Sequence, residues 1–222
     1  MLCFAAFLFS PPADARVRVS NRTEVRDYRV HGETAGELVS YMKRRPFRGD
    51  YGPAMANIRP RYTLRTATSK TARGCRISEL SLDIRFIMTL PKAIDSHRHS
   101  SSTRQAWRGF RAFAKRHEEG HRKIYLSCAR RYASKVLLLP PTLSCSSIER
   151  QARRMLREQE KACDIQHHAF DRREFRRVPS LSLFRQARQE RGRLYQRASQ
   201  RRLAERKQQG FGRKASWFPV RK

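Results

Sequence analysis

Acid is scarce in this chain of 222 residues: 19 Asp and Glu stand against 50 Lys and Arg, a formal net charge of +31. A field that strong favours anionic partners such as nucleic acid, phospholipid headgroups or acidic polymers, and says nothing about fold. Long apolar runs are lacking as well. No stretch approaches 18 residues and the mean hydropathy is −0.78, which excludes a multi-span membrane protein. No Cys-x-x-Cys pair occurs, so a structural zinc knuckle is not indicated. Internal repeats are absent too. What is present suffices for a modest core: 39% hydrophobic residues, among them 12 Phe, 7 Tyr and 2 Trp, argue against full disorder. The length suits one domain, or one domain with a long appendage.

The charge is unevenly spread. Residues 172–222 hold 17 basic and 3 acidic residues, a net of +14, whereas the preceding 171 residues carry +17 from 33 basic and 16 acidic. The Arg-rich stretch is therefore treated as a separate tail. The other end differs in the opposite sense. Met1–Ser10 is almost wholly apolar, Pro11-Pro12 follows, and Ala13-Asp14-Ala15 offers small residues at both positions of an A-x-A cleavage site. Residues 1–15 thus read as a secretory signal, leaving an exported chain that starts near Arg16 and is secreted or periplasmic. Cys3 leaves with the signal. Cys75, Cys128, Cys145 and Cys163 remain, enough for two disulfides in an oxidising compartment, with three connectivities open.

Between these ends, Val17-x-Val19 and Tyr28-x-Val30 alternate like short strands. Thr34-Ala-Gly-Glu37 is a capping box opening a helix with Ala35, Leu38, Val39 and Met42 on one face. Residues 46–60 read as loop. Tyr62, Leu64 and Thr66 alternate again. Leu80, Leu82, Ile84, Phe86, Met88 and Leu90 then occupy every second position, the clearest strand of the chain, which Pro91 is expected to end. Cys75 and Ile77 fall on the opposite parity, which implies a bulge near Ser78–Glu79. His97 and His99 lie in polar loop and read as a solvated pair.

A long helix follows over about 103–138, with a seam of Trp107, Phe110, Ala114, Ile124 and Cys128. Two positions of that seam, 117 and 121, are histidine. Ser146-Ser-Ile-Glu149 reads as a capping box for a second helix to about Phe170, with Ile148, Ala152, Met155, Gln159, Ala162, Gln166 and Ala169 on one face.

His117-Glu118-Glu119-Gly120-His121 has the H-E-x-x-H form. Residues four apart lie one above the other on a helix, so both imidazoles can meet one Zn²⁺. Glu118 beside them can take a proton from a metal-bound water, whose pKa zinc lowers from 15.7 to about 7. A catalytic zinc usually has a third protein ligand. If the two long helices fold back on each other through a short loop, His117 faces His167 and His121 faces Cys163, with His168 and Asp171 within a turn. His167 is thus the expected third ligand. The same register sets Cys128 opposite position 156 and makes a Cys128–Cys163 bridge strained.

At this point the chain resembles a family of predicted secreted zinc-dependent proteases of bacteria, an uncharacterised domain-of-unknown-function family. The resemblance rests on an ordered set of segments across about 17–172: Tyr28-Arg-Val-His-Gly-Glu-Thr-Ala-Gly-Glu-Leu38, Cys75-Arg-Ile with the alternating strand to Leu90-Pro91, Trp107, His117-Glu-Glu-Gly-His-Arg122, Leu139-Pro-Pro, Ser144-Cys145 and Phe170-Asp-Arg172. It implies a periplasmic or surface peptidase with His117 and His121 as zinc ligands and Glu118 as catalytic base. The family pattern continues with a Thr-x-His-Gly segment, whose histidine is a natural third ligand. Here Glu174-Phe-Arg176-Arg177 stands in its place. Either the tail is a frameshifted read of a gene that once encoded the motif, or the tail is genuine. In the latter case His167, His168 or Asp171 replaces the missing ligand, or the site binds zinc weakly and is inactive.

The expected fold is therefore α+β: a small antiparallel sheet packed against the long HExxH helix and a following antiparallel helix, over residues 16–171. The 172–222 tail is expected to be disordered and solvated, or frameshift-derived. The expected function is an exported zinc-dependent metalloprotease whose partner is a peptide or protein substrate. The alternative is a non-catalytic exported basic domain. Its tail would contact polyanions or anionic membrane non-specifically, with no specific nucleic-acid target.

Overall fold

A computed structural model describes residues 16–49 and 52–212; the expected signal segment, Cys3 with it, and the last ten residues of the Arg-rich stretch lie outside the described residues. In chain order the elements are β1 (Arg16–Val30), α1 (Ala35–Arg44), β2 (Phe47–Gly49), β3 (Gly52–Ala54), β4 (Asn57–Thr71), β5 (Gly74–Ala93), α2 (Ser101–Leu137), α3 (Cys145–Phe175) and α4 (Ser182–Gly212). Among the described residues the chain forms two compact units, one of residues 16–28, 47–91 and 112–176, the other of 29–46, 92–111 and 177–212. The class is α+β, as the periodicities imply.

The first unit is built on a three-stranded sheet in the order β1-β5-β4. β4 and β5 are antiparallel, from Asn57 opposite Thr89 to Thr71 opposite Gly74. Contacts of Ser20 with Asp83 and of Glu24 with Arg85 advance together along β1 and β5, so these two strands run parallel. The sheet is therefore mixed rather than purely antiparallel. The reason is topological: β1 and β5 are joined by a long crossover, not a hairpin. The expected bulge is present. Ala67 pairs with Glu79 and Thr68 with Ile77, which leaves Ser78 unmatched and flips side-chain parity, as Cys75 and Ile77 require. Pro91 does not end β5, which runs on to Ala93. Pairing with β4 stops at Thr89, so the missing Pro91 N–H costs that ladder nothing. The stretch expected as loop before β4 contains the small β2–β3 hairpin.

Leu80, Leu82, Ile84, Phe86, Met88 and Leu90 are all buried, and they pack with Ala129, Tyr132, Ala133 and Val136 of α2 and Ile148 and Ala152 of α3. Burying each large aliphatic or aromatic side chain contributes about 1.5–3 kcal/mol relative to exposure. The Tyr132 hydroxyl donates to the Ala152 carbonyl at 3.1 Å, which ties α2 to α3. Two disulfides lock the unit: Cys75–Cys145 and Cys128–Cys163.

The second bridge, expected to be strained, forms because the helical register differs from simple fold-back. The loop after α2 does not turn straight round. Thr142 first makes a two-way backbone bridge to Cys75, at 2.7 and 2.9 Å, and Cys145 then bonds Cys75. Gly74 allows this approach: it has φ +114°, and a Cβ there would lie 2.4 Å from the Thr142 carbonyl oxygen. The N-cap of α3 lies two residues before the Ser146 of its expected capping box. Ser144 is its N-cap and accepts from the Ser147 N–H. The buried face also differs from the expected one: Cys163 and His167 are buried, while Ala162, Gln166 and Ala169 are exposed.

In the second unit, α1 has the expected capping box, with Thr34 and Glu37 each bonding the other's backbone N–H. Ala35, Leu38, Val39 and Met42 are its buried stripe, as read from the sequence. His99 is not solvated: it is buried and bonds the Gly32 carbonyl at 2.9 Å, while His97 is exposed. The Arg-rich stretch differs from a disordered tail over Ser182–Gly212, which is helical. Its first turns bury Leu183, Phe184 and Ala187, and Phe184 packs edge-on against Phe110 at 5.7 Å. That small apolar cluster is what anchors a segment whose average composition reads as solvated. From Gly192 to Gln208 nearly every side chain is exposed.

Candidate metal centre

Helical spacing sets the first half of the site. His117 and His121 lie one turn apart on α2, their Nε2 atoms 3.1 Å apart. Asp171, on α3, completes the group: its Oδ1 lies 2.9 Å from His121 Nε2 and 3.1 Å from His117 Nε2. These three side chains form the one cluster of three or more potential ligands among the described residues. In a tetrahedron with bonds of about 2.0–2.1 Å, donors stand roughly 3.3 Å apart. The observed spacings lie close to that, and two imidazoles with one carboxylate suit zinc chemically.

His167, expected as third ligand, is placed differently. It is fully buried, and its Nδ1 meets His121 Nδ1 at 2.8 Å, on the far side of that ring from Asp171. His168 is exposed and lines the cleft. The register explains the exchange. His117 meets Asp171 and His121 meets His167, one helical turn beyond the fold-back pairing of His117 with His167. Burial pushes the Asp171 carboxyl up, but hydrogen bonds from His117 and His121 outweigh it and hold the group well below the usual carboxylate range. Burial, helped by neighbouring His121, lowers His167 to about 4, so that it is neutral at pH 7.

Glu118 is 3% exposed and lines the same cleft as His117, His121 and Asp171, a cavity of about 320 Å³. Ala54, Ala56, Asn57 and Ile58 also line it. Aromatic rings fix His117: Phe170 stacks on it at 5.0 Å and Phe113 at 6.3 Å. His117 Nδ1 has no hydrogen-bond partner, so packing and the Nε2 contact with Asp171 orient that ring. The sequence marks Phe170 only as a helix end and as part of the Phe170-Asp-Arg172 segment, and Gly120 only as a motif filler. A Cβ at Gly120 would lie 2.3 Å from the Phe170 ring, so the glycine makes room for the aromatic that packs both histidines. A small residue inside a strongly helical motif was the available signal.

Residues 25–177, over two thirds of the chain, match the family described as "Bacterial protein of unknown function (DUF922)", and the chain belongs to that family. No curated protein and no solved structure matches it. The match includes every residue of the cluster and runs six residues into the Arg-rich stretch. Among the described residues no helix is long and apolar enough to cross a membrane.

Proposed function

We propose that this chain is an exported zinc-dependent peptidase. The observation that carries the reading is the convergence of His117 Nε2, His121 Nε2 and Asp171 Oδ1 within 3.1 Å of one another, in a cleft that also holds the buried Glu118. His117, His121 and Asp171 would hold the metal, with Asp171 in the place the sequence first suggested for His167. Zinc held by three protein ligands supplies Lewis acidity and a water of lowered pKa. Glu118 takes the proton of the attacking water on its carboxylate and delivers it to the leaving amide nitrogen. His167 acts through His121: with His121 Nε2 turned to the cluster, its Nδ1–H donates to the neutral His167 Nδ1, which fixes tautomer and ring orientation. The two disulfides fit a secreted or periplasmic setting.

The test is a pair of proteins loaded with zinc and offered a mixed peptide library. Glu118→Gln should keep its zinc and lose hydrolysis by about 10²–10⁴-fold, the usual worth of a general base. Equal cleavage by wild type and variant would contradict the reading.

A further inference from the structure

The second unit has a groove with no part in the metal chemistry. It lies between α1 and α4, with a volume of about 640 Å³. Five cationic side chains line it: Lys43 and Arg44 from the last turn of α1, and Arg191, Arg193 and Arg197 from α4. The two carboxylates that also line it are committed to backbone donors. Glu37 closes the α1 capping box, and Glu190 accepts the Gly36 N–H at 2.6 Å. None of the five cations has a salt bridge among the described residues; Arg44 only donates to Ser40 Oγ, at 2.6 Å. Such a concentration of unneutralised charge on one concave surface is costly without a counter-charge and attracts anions.

We infer that this groove binds a linear polyanion carrying closely spaced phosphate groups. Three features point that way. Four of the five cations, Arg44 on α1 and Arg191, Arg193 and Arg197 on α4, are guanidinium groups, which grip phosphate oxygens in pairs. The surface is concave, so a chain can lie along it while a flat bilayer reaches only its rim. The remainder of α4 offers no insertion face. Leu194, Tyr195 and Leu203 are exposed but spread over half the helix circumference, interrupted by arginines. Val39, Ala187 and Leu194 also line the groove and add apolar contact beside the charge.

The probe is fluorescently labelled inorganic polyphosphate, titrated with the full chain by anisotropy at several salt concentrations. Wild type should bind with a steep salt dependence, because phosphate contacts release counterions. Lys43→Ala/Arg44→Ala/Arg193→Ala/Arg197→Ala should weaken binding at least tenfold and flatten the salt slope. Arg201→Ala/Arg202→Ala/Arg206→Ala/Lys207→Ala removes equal charge from elsewhere on α4 and should weaken it less than threefold. Arg193→Lys/Arg197→Lys keeps the charge, removes the paired donors, and should fall between. Circular dichroism and zinc content establish that each variant is folded. Equal losses in the two quadruple variants would overturn the proposal, since net charge alone would then explain binding. So would tight binding to anionic phospholipid vesicles with none to polyphosphate.

Discussion

Asp171 and His167 are four residues apart on one helix and have different work. One oxygen of Asp171 touches both histidines of the motif; His167 touches His121 alone, through the nitrogen that faces away from the cluster. Asp171→Ala should therefore abolish stoichiometric zinc binding, whereas His167→Gln should weaken affinity by about 10–100-fold, the usual cost of losing an outer hydrogen-bond partner. Competition with a chelating dye measures both, and the reverse order would assign His167 to the metal. His167 also sets a pH dependence in the metal-free protein. Its ordinary value of 6.5 falls to about 4 in the fold because burial, and then His121, disfavour the charged form. The unfolded chain thus binds more protons between these values. The contribution to stability is full above about pH 6.5, is lost as pH falls towards 4, and levels off below. Thermal unfolding of stripped protein should show this slope in wild type and lose it in His167→Gln; identical slopes would refute the assignment. His117, Glu118 and His121 were legible in the sequence because helical spacing is a local property. Asp171 appeared there only as one of three candidates, since choosing among them needs the register between two helices.

That register belongs to the elements. α2 brings His117 and His121, α3 brings His167 and Asp171, and the Cys128–Cys163 bridge joins the helices two turns beyond His121 and one turn before His167. The sequence arithmetic assumed a symmetrical turn. It had no means of seeing that Thr142 would stop to bridge Cys75, because Gly74 and Thr142 are far apart in the chain. The same blindness hid the parallel pairing of β1 with β5, while the alternation along β5 and its bulge were readable residue by residue. Cutting the interhelical bridge tests its role. In Cys128→Ser/Cys163→Ser the loss of a crosslink spanning 35 residues should cost about 4 kcal/mol in chemical denaturation by the chain-entropy account. Zinc affinity should fall with it, because the two ligand pairs are no longer held in register. Unchanged affinity in a folded variant would show that packing alone sets the spacing.

At the scale of the whole molecule, charge and chemistry part company. The family match covers residues 25–177 and contains the entire His117–His121–Asp171 cluster, while 14 of the 31 net positive charges fall in residues 172–222. Composition sets those regions apart by charge, although α3 runs across the boundary to Phe175. It erred on the nature of the second, because the mean over an Arg-rich segment conceals the three buried side chains, Leu183, Phe184 and Ala187, that seat α4. The signal reading of residues 1–15 rests on sequence alone. The central claim is that the cluster on α2 and α3 holds a metal. Its most direct test is the metal content of the purified protein, by plasma mass spectrometry after dialysis against zinc-replete and then zinc-free buffer. The account predicts close to one zinc per chain, lost in His117→Ala and in His121→Ala while both variants stay folded. A wild-type protein that emerges folded, with both disulfides formed and no bound metal, would contradict it.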